Sequence, residues 1–169
     1  MAEVSNLSSV IKLSHDTFED HRGQLFTYWK KSELPNINFN HDKVAISHKN
    51  VLRGLHTDKS WKLITCVYGK IQLVVVNYDS TSEEYLDHMN IILDSNENNK
   101  VSILVPPGFL NGHLILSDMA VFCYKWAYEG NYPDVIDQTS ISWKEPKIGI
   151  KWLVKNPILS DRDKNTPLL

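Results

Sequence analysis

The chain has 169 residues, of which 42% are hydrophobic and 22% are charged, values typical of a globular domain with its own hydrophobic core. Eighteen Lys and Arg residues against twenty Asp and Glu residues give a formal net charge of -2 without any block of like charge, which argues against nucleic-acid binding. The longest apolar runs are far shorter than the roughly 20 residues of a membrane-spanning helix, and the N-terminus lacks the pattern of a secretory signal. We therefore expect a single cytoplasmic domain over residues 1–169, with no membrane segment.

Short apolar and β-branched segments recur along the chain, separated by Gly, Pro, Asn and Asp residues. This pattern predicts an all-β sandwich or small barrel. In chain order, the predicted strands cover residues 10–13, 43–47, 62–68, 71–78, 85–93, 101–105, 113–116 and 120–126.

The connections between these strands carry their own signals. Residues 32–36 are predicted to form a loop or short helix, Tyr68-Gly69-Lys70 a tight hairpin turn, and residues 94–100 a polar loop. From Asp134 onward the chain is rich in proline, which predicts a loop-rich tail that wraps the barrel or a second copy of the chain.

The segment Val51-Leu52-Arg53-Gly54-Leu55-His56 carries an arginine and a histidine three residues apart. In a regular strand such residues point to opposite faces, so Arg53 and His56 share a face only across a bulge, which Gly54 would permit. Lys62 follows six residues after His56 and would bring a second cation to the same end of the barrel. The alternative is an exposed hairpin with an incidental histidine.

The turn Pro106-Pro107-Gly108-Phe109-Leu110-Asn111-Gly112-His113 resembles the second metal-binding motif of cupin barrels. Asn111 occupies the ligand position of that motif, and the first cupin motif is reduced to the single His56. Because a stable transition-metal site usually needs three or four protein ligands, we predict a cupin-type jelly roll without a metal.

Taken together, these motifs resemble the dTDP-4-dehydrorhamnose 3,5-epimerase family of jelly-roll sugar-nucleotide epimerases. The resemblance implies an enzyme without a cofactor that inverts carbons beside the 4-keto group of a nucleotide-linked sugar, and that works as a homodimer. The matching stretches are residues 18–23, 51–56, 62–68, 106–112, 124–125, 148–152 and 159–163.

The resemblance also implies a role for each matching residue. His56 falls at the general base, Tyr124 at the general acid, and Lys62 beside the 4-keto oxygen. Asp163 falls at the carboxylate that orients the base, although spacing alone does not decide between Asp161 and Asp163. The remaining implied positions bind substrate: Arg53 and Arg22 at the pyrophosphate, with Arg22 supplied by the second subunit, and Lys43, Asn111, His113 and Tyr132 at further contacts with the substrate or the dimer partner.

These residue types suit the removal and return of a proton beside a ketone. A histidine accepts a proton at neutral pH, and a protonated tyrosine can return one to the opposite face. A fixed lysine stabilises the enolate oxygen, and arginine forks bind pyrophosphate oxygens. Each residue also has a structural interpretation: a core tyrosine, a solvated lysine, or an aspartate that ends a turn.

Several positions depart from the pattern of the rhamnose-pathway enzymes, among them Thr27, Lys43 and Asn111. With the segment after Tyr124, these departures resemble a subgroup that acts on GDP-linked 4-keto heptoses in capsule synthesis. The substrate is therefore open between a GDP-4-keto-heptose and a dTDP-4-keto-6-deoxyhexose. The alternative functions are a sugar-nucleotide 3,4-ketoisomerase, a sugar-nucleotide-binding barrel without catalysis, and a metal-dependent cupin enzyme.

Overall fold

Antiparallel strands are the main regular structure of the protein in the computed structural model, which describes residues 7–98, 100–129 and 138–169. One short helix follows the last strand. The elements are β1 (Ile11–His15), β2 (Thr17–Asp20), β3 (Gly23–Phe26), β4 (His41–His48), β5 (Leu52–Thr57), β6 (Trp61–Tyr68), β7 (Lys70–Val76), β8 (His88–Asp94), β9 (Lys100–Val105), β10 (Leu110–Ile115), β11 (Met119–Ala127), β12 (Thr139–Ser140) and α1 (Asp161–Lys164).

The strands form two five-stranded sheets with many crossovers between them. The first sheet has the order β1-β9-β6-β11-β4, and the second has the order β12-β5-β10-β7-β8. Strands β2 and β3 pair with each other as a separate two-stranded hairpin. This arrangement confirms the predicted all-β jelly-roll fold.

The main core lies between the two sheets. Ile71, Leu73 and Val75 of β7 point into it, where they pack with residues such as Ile103 and Phe122 of the first sheet. Since alternate residues of a strand face opposite sides, the remaining residues of β7 lie on the outer face of the second sheet.

The C-terminal tail covers that outer face. Val74 and Val76 of β7 pack there against Ile141 and Ile148, which are buried. The buried Gln72 anchors the tail, because its Nε2 donates to the carbonyl of residue 151 and its Oε1 accepts from the backbone N–H of residue 153, both at 2.9 Å. The prediction that the tail wraps the barrel is confirmed for the described residues, and the burial of both faces explains the apolar run at residues 73–76 of β7.

Two connections differ from or refine the sequence prediction. The turn at Gly69 is tight, with φ of +80°, but it does not close a hairpin, because β6 and β7 belong to different sheets. The hairpin prediction was therefore wrong: two adjacent strand-like runs reveal a turn without revealing the strands with which each run pairs. Residues 32–36 form turns rather than a helix, and the polar loop between β8 and β9 is present as predicted.

The described residues contain no helix of sufficient length and hydrophobicity to cross a membrane.

Candidate active site

Strand β5 contains the bulge that the sequence predicts. Asn111 of β10 lies opposite His56, whereas His113, two residues further along β10, lies opposite Arg53, three residues back along β5. One extra residue of β5 is accommodated there, and Gly54 takes the bend with φ of +130°. Arg53 and His56 consequently line the same cavity.

This cavity has a volume of about 700 Å³, within the usual range of small-molecule sites. Strands β4, β5, β6, β10 and β11 supply one part of its wall, and the C-terminal tail supplies the other. It brings together most of the predicted site residues: His56, Tyr124, Lys62, Asp163, Arg53, Lys43, Asn111 and His113.

Of the other predicted residues, Arg22 is at the exposed end of the β2–β3 hairpin, paired with Asp20. Tyr132 falls outside the described residues. A second cavity, of about 880 Å³, is lined mainly by asparagine, aromatic and aliphatic side chains and contains none of the predicted site residues. The predicted site residues therefore point to the first cavity as the candidate active site.

His56 is paired with Asp163 of α1. The Nε2 atom of the imidazole lies 3.0 Å from Oδ1 of Asp163, whose side chain is only 3% exposed. Asp161 is exposed and contacts Lys164 instead, so the structure selects Asp163 as the partner of His56. Ser160 caps the helix by accepting the backbone N–H of Asp163 at 3.1 Å, which fixes the carboxylate beneath the imidazole.

Opposing effects determine the ionisation of Asp163. Burial raises the pKa of its carboxyl, but hydrogen bonds from His56, Ser160 and the backbone of Gly54, together with the charge of His56, outweigh that effect. The net result is a pKa below the usual value, so Asp163 is a carboxylate at neutral pH and suits the stabilisation of a protonated imidazole.

The second nitrogen of His56 has a partner that the sequence analysis missed. Nδ1 lies 2.8 Å from Oγ of Ser140, and that oxygen accepts a hydrogen bond of 2.6 Å from Nη2 of Arg162. Because a guanidinium group can only donate, the hydroxyl proton of Ser140 remains available for Nδ1. Arg162 adjoins Asp163 in a stretch that the sequence analysis did match, whereas nothing in the sequence signals Ser140.

Lys62 is a buried cation with a buried counterion. Its Nζ atom lies 3.0 Å from Oδ2 of Asp58 and donates to Oδ1 of Asn111 at 3.2 Å. The face of the Trp126 ring is also near, with its centre 5.1 Å from Nζ. Desolvation lowers the pKa of Lys62, and the charge and hydrogen bond of Asp58 oppose that shift. No sequence motif marks Asp58, which lies in the loop between β5 and β6.

Tyr124 lines the cavity from β11. Burial raises the pKa of its phenol, and the positive charge of Arg53 partly opposes this effect. The phenol is therefore protonated at neutral pH and can act as a proton donor. Its oxygen lies 3.4 Å from Nδ1 of His113.

Two further cations face the same space. Arg53 donates from Nε to Oγ of the buried Ser47 at 3.2 Å, which leaves the rest of its guanidinium group for other partners. Nζ of Lys43 lies 4.1 Å from the centre of the Trp126 ring. With Lys62, they give the cavity the positive charge that an anionic substrate requires.

No group of three or more His, Cys, Asp and Glu side chains in the described part of the chain is arranged to hold a metal ion. The absence of a metal stays a prediction from the sequence motifs.

Comparisons with known proteins agree on one family. A family profile described as dTDP-4-dehydrorhamnose 3,5-epimerase matches residues 5–169. The dTDP-4-dehydrorhamnose 3,5-epimerase of Salmonella typhimurium is 31% identical over 173 residues, which cover 96% of this chain and 92% of the relative.

Solved structures show the same architecture. The crystal structure of dTDP-4-dehydrorhamnose 3,5-epimerase from Bacillus anthracis, with TDP and PPi bound, superposes with a TM-score of 0.87 at 29% identity and covers 99% of both chains. The Legionella pneumophila dTDP-6-deoxy-D-glucose-3,5-epimerase, in complex with dTDP-4-keto-L-rhamnose, gives a TM-score of 0.87 at 26% identity, covering 98% of this chain and 90% of that one. These similarities confirm the cupin-type jelly roll.

Proposed function

The chain belongs to the dTDP-4-dehydrorhamnose 3,5-epimerase family, and from that premise we propose that it is a cofactor-independent epimerase of a nucleotide-linked 4-keto sugar. It is an isomerase that acts on carbohydrates. We further propose which carbons of the sugar are inverted and which residues of the chain invert them. The observation that carries it is the convergence of His56, Lys62 and Tyr124 on one cavity, with Asp163 beneath His56.

In the proposed first step, Nδ1 of His56 gives up its hydrogen bond with Ser140 and removes the proton from the carbon next to the ketone. The electrons of the broken C–H bond move into an enolate, whose negative charge lies mainly on the 4-oxygen. Asp163 stabilises the imidazolium that forms, because it is a buried carboxylate 3.0 Å from the ring nitrogen. Lys62 stabilises the enolate oxygen as a fixed cation in a water-poor site.

In the proposed second step, Tyr124 gives its proton to the same carbon from the opposite face of the sugar. The carbon is thereby inverted, the tyrosinate regains a proton from solvent, and the imidazolium of His56 releases its proton to solvent. This step requires a protonated phenol, which the raised pKa of Tyr124 supplies. Inversion at carbon 3, at carbon 5 or at both uses the same groups, with the ring turned to present each carbon to His56.

The pyrophosphate of the substrate is assigned to cationic side chains of the cavity. Arg53 and Lys43 line it in this protomer, and we assign Arg22 of a second copy to the same group. Since Arg22 lies on the exposed hairpin and does not line the cavity of its own protomer, its participation requires a homodimer. Tyr132 is proposed as a contact to the nucleotide or to the second copy.

The nucleotide and sugar remain two candidates within one substrate class. The relatives are named for dTDP-linked sugars, which supports a dTDP-4-keto-6-deoxyhexose. The departures at Lys43 and Asn111 alter the cavity wall itself and support a GDP-4-keto-heptose. Either sugar would serve surface polysaccharide synthesis, and a cytoplasmic location stays a prediction from the sequence.

The test is incubation of the protein in D₂O with GDP-linked and dTDP-linked 4-keto sugars, followed by NMR. Deuterium at carbon 3 alone, or at carbons 3 and 5, with inverted configuration would support the proposal and identify the carbons. A product whose carbonyl has moved to carbon 3 would show a 3,4-ketoisomerase. Binding of the nucleotide sugars without any deuterium uptake would show a binding protein and contradict the proposal.

A further inference from the structure

His113 lies behind the proposed acid Tyr124. It is 2% exposed, and its ring packs edge to face against Phe122, with the ring centres 4.0 Å apart. Its Nδ1 atom lies 3.4 Å from the phenol oxygen of Tyr124. That distance is long for a hydrogen bond, but catalytic hydrogen bonds commonly tighten only when substrate is bound.

His113 is neutral in this environment. Burial, followed by the charges of Arg53 and His56, lowers the pKa of its imidazole to about 3, and the opposing effect of Asp163 is smaller. A neutral imidazole carries one N–H and one lone pair. The position of that single N–H decides what His113 does for Tyr124.

The surroundings of His113 favour the N–H on Nδ1. Its Nε2 atom is buried and has no hydrogen-bond partner among the described residues. A proton on Nε2 would leave a buried N–H unpaired, which native proteins rarely tolerate. A proton on Nδ1 instead leaves only a lone pair without a partner, and points the N–H toward the phenol oxygen of Tyr124.

We propose that His113 is a positioning residue for Tyr124, donating its Nδ1–H to the phenol oxygen so that the tyrosine proton faces the substrate. The same hydrogen bond would stabilise the tyrosinate left when that proton moves to the enolate carbon. His113 therefore acts in the second half of the reaction and not in the first. This inference rests on the proposed function, since it assigns the proton donor of that reaction a partner.

The direction of the hydrogen bond can be measured without substrate. In ¹⁵N NMR of the free protein, assigned by comparison with His113→Phe, His113 is expected to be a neutral ring protonated at Nδ1. A ring protonated at Nε2 would overturn the proposal, whatever reaction the protein performs.

The catalytic part is tested with two complementary variants. His113→Phe keeps the aromatic contacts with Phe122 and Tyr124 but removes both nitrogens. His113→Asn loses those contacts but keeps an amide N–H near the position of Nδ1. In D₂O, each enolate is reprotonated either by His56, which returns deuterated substrate once its proton has exchanged with the solvent, or by Tyr124, which gives deuterated, inverted product.

We expect His113→Phe to raise the ratio of deuterated substrate to inverted product by about tenfold or more, the effect of losing a hydrogen bond to a charged group. Deuterated substrate should still form, because His56 and Asp163 are unchanged. His113→Asn should keep a ratio near that of the wild type. If His113→Phe does not fold, the ratio in His113→Asn is the test by itself.

An unchanged ratio in His113→Phe, or an equally raised ratio in His113→Asn, would overturn the proposal and leave His113 a packing residue. A wild-type protein that neither exchanges deuterium nor inverts any of the sugars would instead overturn the proposed function, and the NMR result on the free protein would then still stand on its own.

Discussion

The pairing of His56 with Asp163 gives the imidazole a fixed orientation and a buried negative charge. His56→Asn removes the base and keeps a similar side-chain volume. Asp163→Asn removes the negative charge and keeps the side-chain shape. We expect both variants to lose about 10²- to 10⁴-fold in kcat, the usual contribution of a general base. The measurement is the rate of deuterium exchange beside the ketone, with thermal unfolding to verify the fold.

His48→Asn is the matched control, because His48 is an exposed histidine of β4 that does not line the cavity. It should retain wild-type exchange. Near-normal exchange in folded His56→Asn protein would contradict the proposed mechanism.

Asp163 also links stability to pH. Because its pKa in the folded protein lies below the unfolded value of about 3.8, it stabilises the fold above that pH, and the contribution is lost as pH falls through the folded pKa. Asp163→Asn should therefore lower the free energy of unfolding by about 1 to 3 kcal/mol at pH 7, and by less at pH 3. Urea unfolding of both proteins at the two pH values measures this, and an equal loss at both would refute the linkage.

The buried pair of Lys62 and Asp58 should govern the alkaline side of the reaction. Asp58 raises the pKa of Lys62 against the effect of burial, so without it the lysine loses its proton at lower pH. In Asp58→Asn, the fall in kcat/KM at high pH should consequently begin at lower pH than in the wild type. Lys62→Met should lose about 10²- to 10³-fold in kcat at pH values below the alkaline limb, as expected for the loss of an oxyanion-stabilising group.

Asp118→Asn provides the comparison for Asp58→Asn, because Asp118 pairs with Lys49 at the surface and its side chain is 98% exposed. Its pH profile should match that of the wild type. An unshifted profile in Asp58→Asn would mean that Lys62 does not set the alkaline limb.

At the same scale, the sequence predicted side chains that the structure brings together in one cavity, but not the groups that hold them in place. His56, Lys62, Tyr124 and Asp163 were recognised because each lies in a motif. Asp58 and Ser140 were missed, since their roles depend on contacts that only the folded chain creates: Ser140 reaches His56 because β12 pairs with β5. A polar residue in a loop, such as Asp58, or in a two-residue strand, such as Ser140, has no distinguishing local pattern.

Among the elements, the β5 bulge determines whether Arg53 and His56 can share the cavity. A Cβ atom on Gly54 would lie 2.5 Å from Cα of Gly112 and 2.9 Å from the carbonyl oxygen of Asn111, both backbone atoms that cannot move aside cheaply. The φ of +130° at Gly54 would also be strained for any other residue. We expect Gly54→Ala to destabilise the protein by about 2 to 4 kcal/mol in urea unfolding.

Gly23→Ala separates the two effects, because Gly23 has a nearly identical φ of +128°, and a Cβ atom added there would meet no atom within 4 Å beyond its chain neighbours. It should cost less than Gly54→Ala, and the difference measures the clash between β5 and β10. An equal loss of unfolding free energy in Gly23→Ala and Gly54→Ala would mean that β5 and β10 accommodate the added methyl group at no energetic cost.

Prediction at this scale succeeded where the information was local and failed where it was not. The bulge followed from the spacing of Arg53 and His56 around a glycine. The turn at Gly69 was also found, but its interpretation as a hairpin was wrong because strand pairing depends on distant segments: β6 pairs with β9 and β11, and β7 with β8 and β10. Strands β2 and β3 were not predicted, since their mostly exposed residues lack apolar alternation.

At the scale of the whole molecule, two exposed apolar surfaces are unusual for an isolated protomer. The β2–β3 hairpin exposes 71% of Phe18 and 73% of Leu25, and the edge strand β4 exposes 64% of Val44 and 63% of Ile46. Apolar side chains of this size, on a separate hairpin and on an unpaired sheet edge, are typical of surfaces that associate. They support the proposed homodimer, in which the hairpin would carry Arg22 to the cavity of the partner.

Mixing two inactive variants tests this arrangement directly. In a mixed dimer of His56→Asn and Arg22→Ala protomers, one cavity contains both substitutions and the other contains neither, provided that Arg22 acts across the interface. Equal mixing, after unfolding and refolding together, should therefore restore about a quarter of wild-type activity, because half of the symmetric dimers are mixed and each has one intact site. If Arg22 served its own cavity, every site would carry one substitution and mixing would restore nothing. Light scattering on the wild type, which should give the mass of two chains, distinguishes that outcome from a protein that remains a monomer.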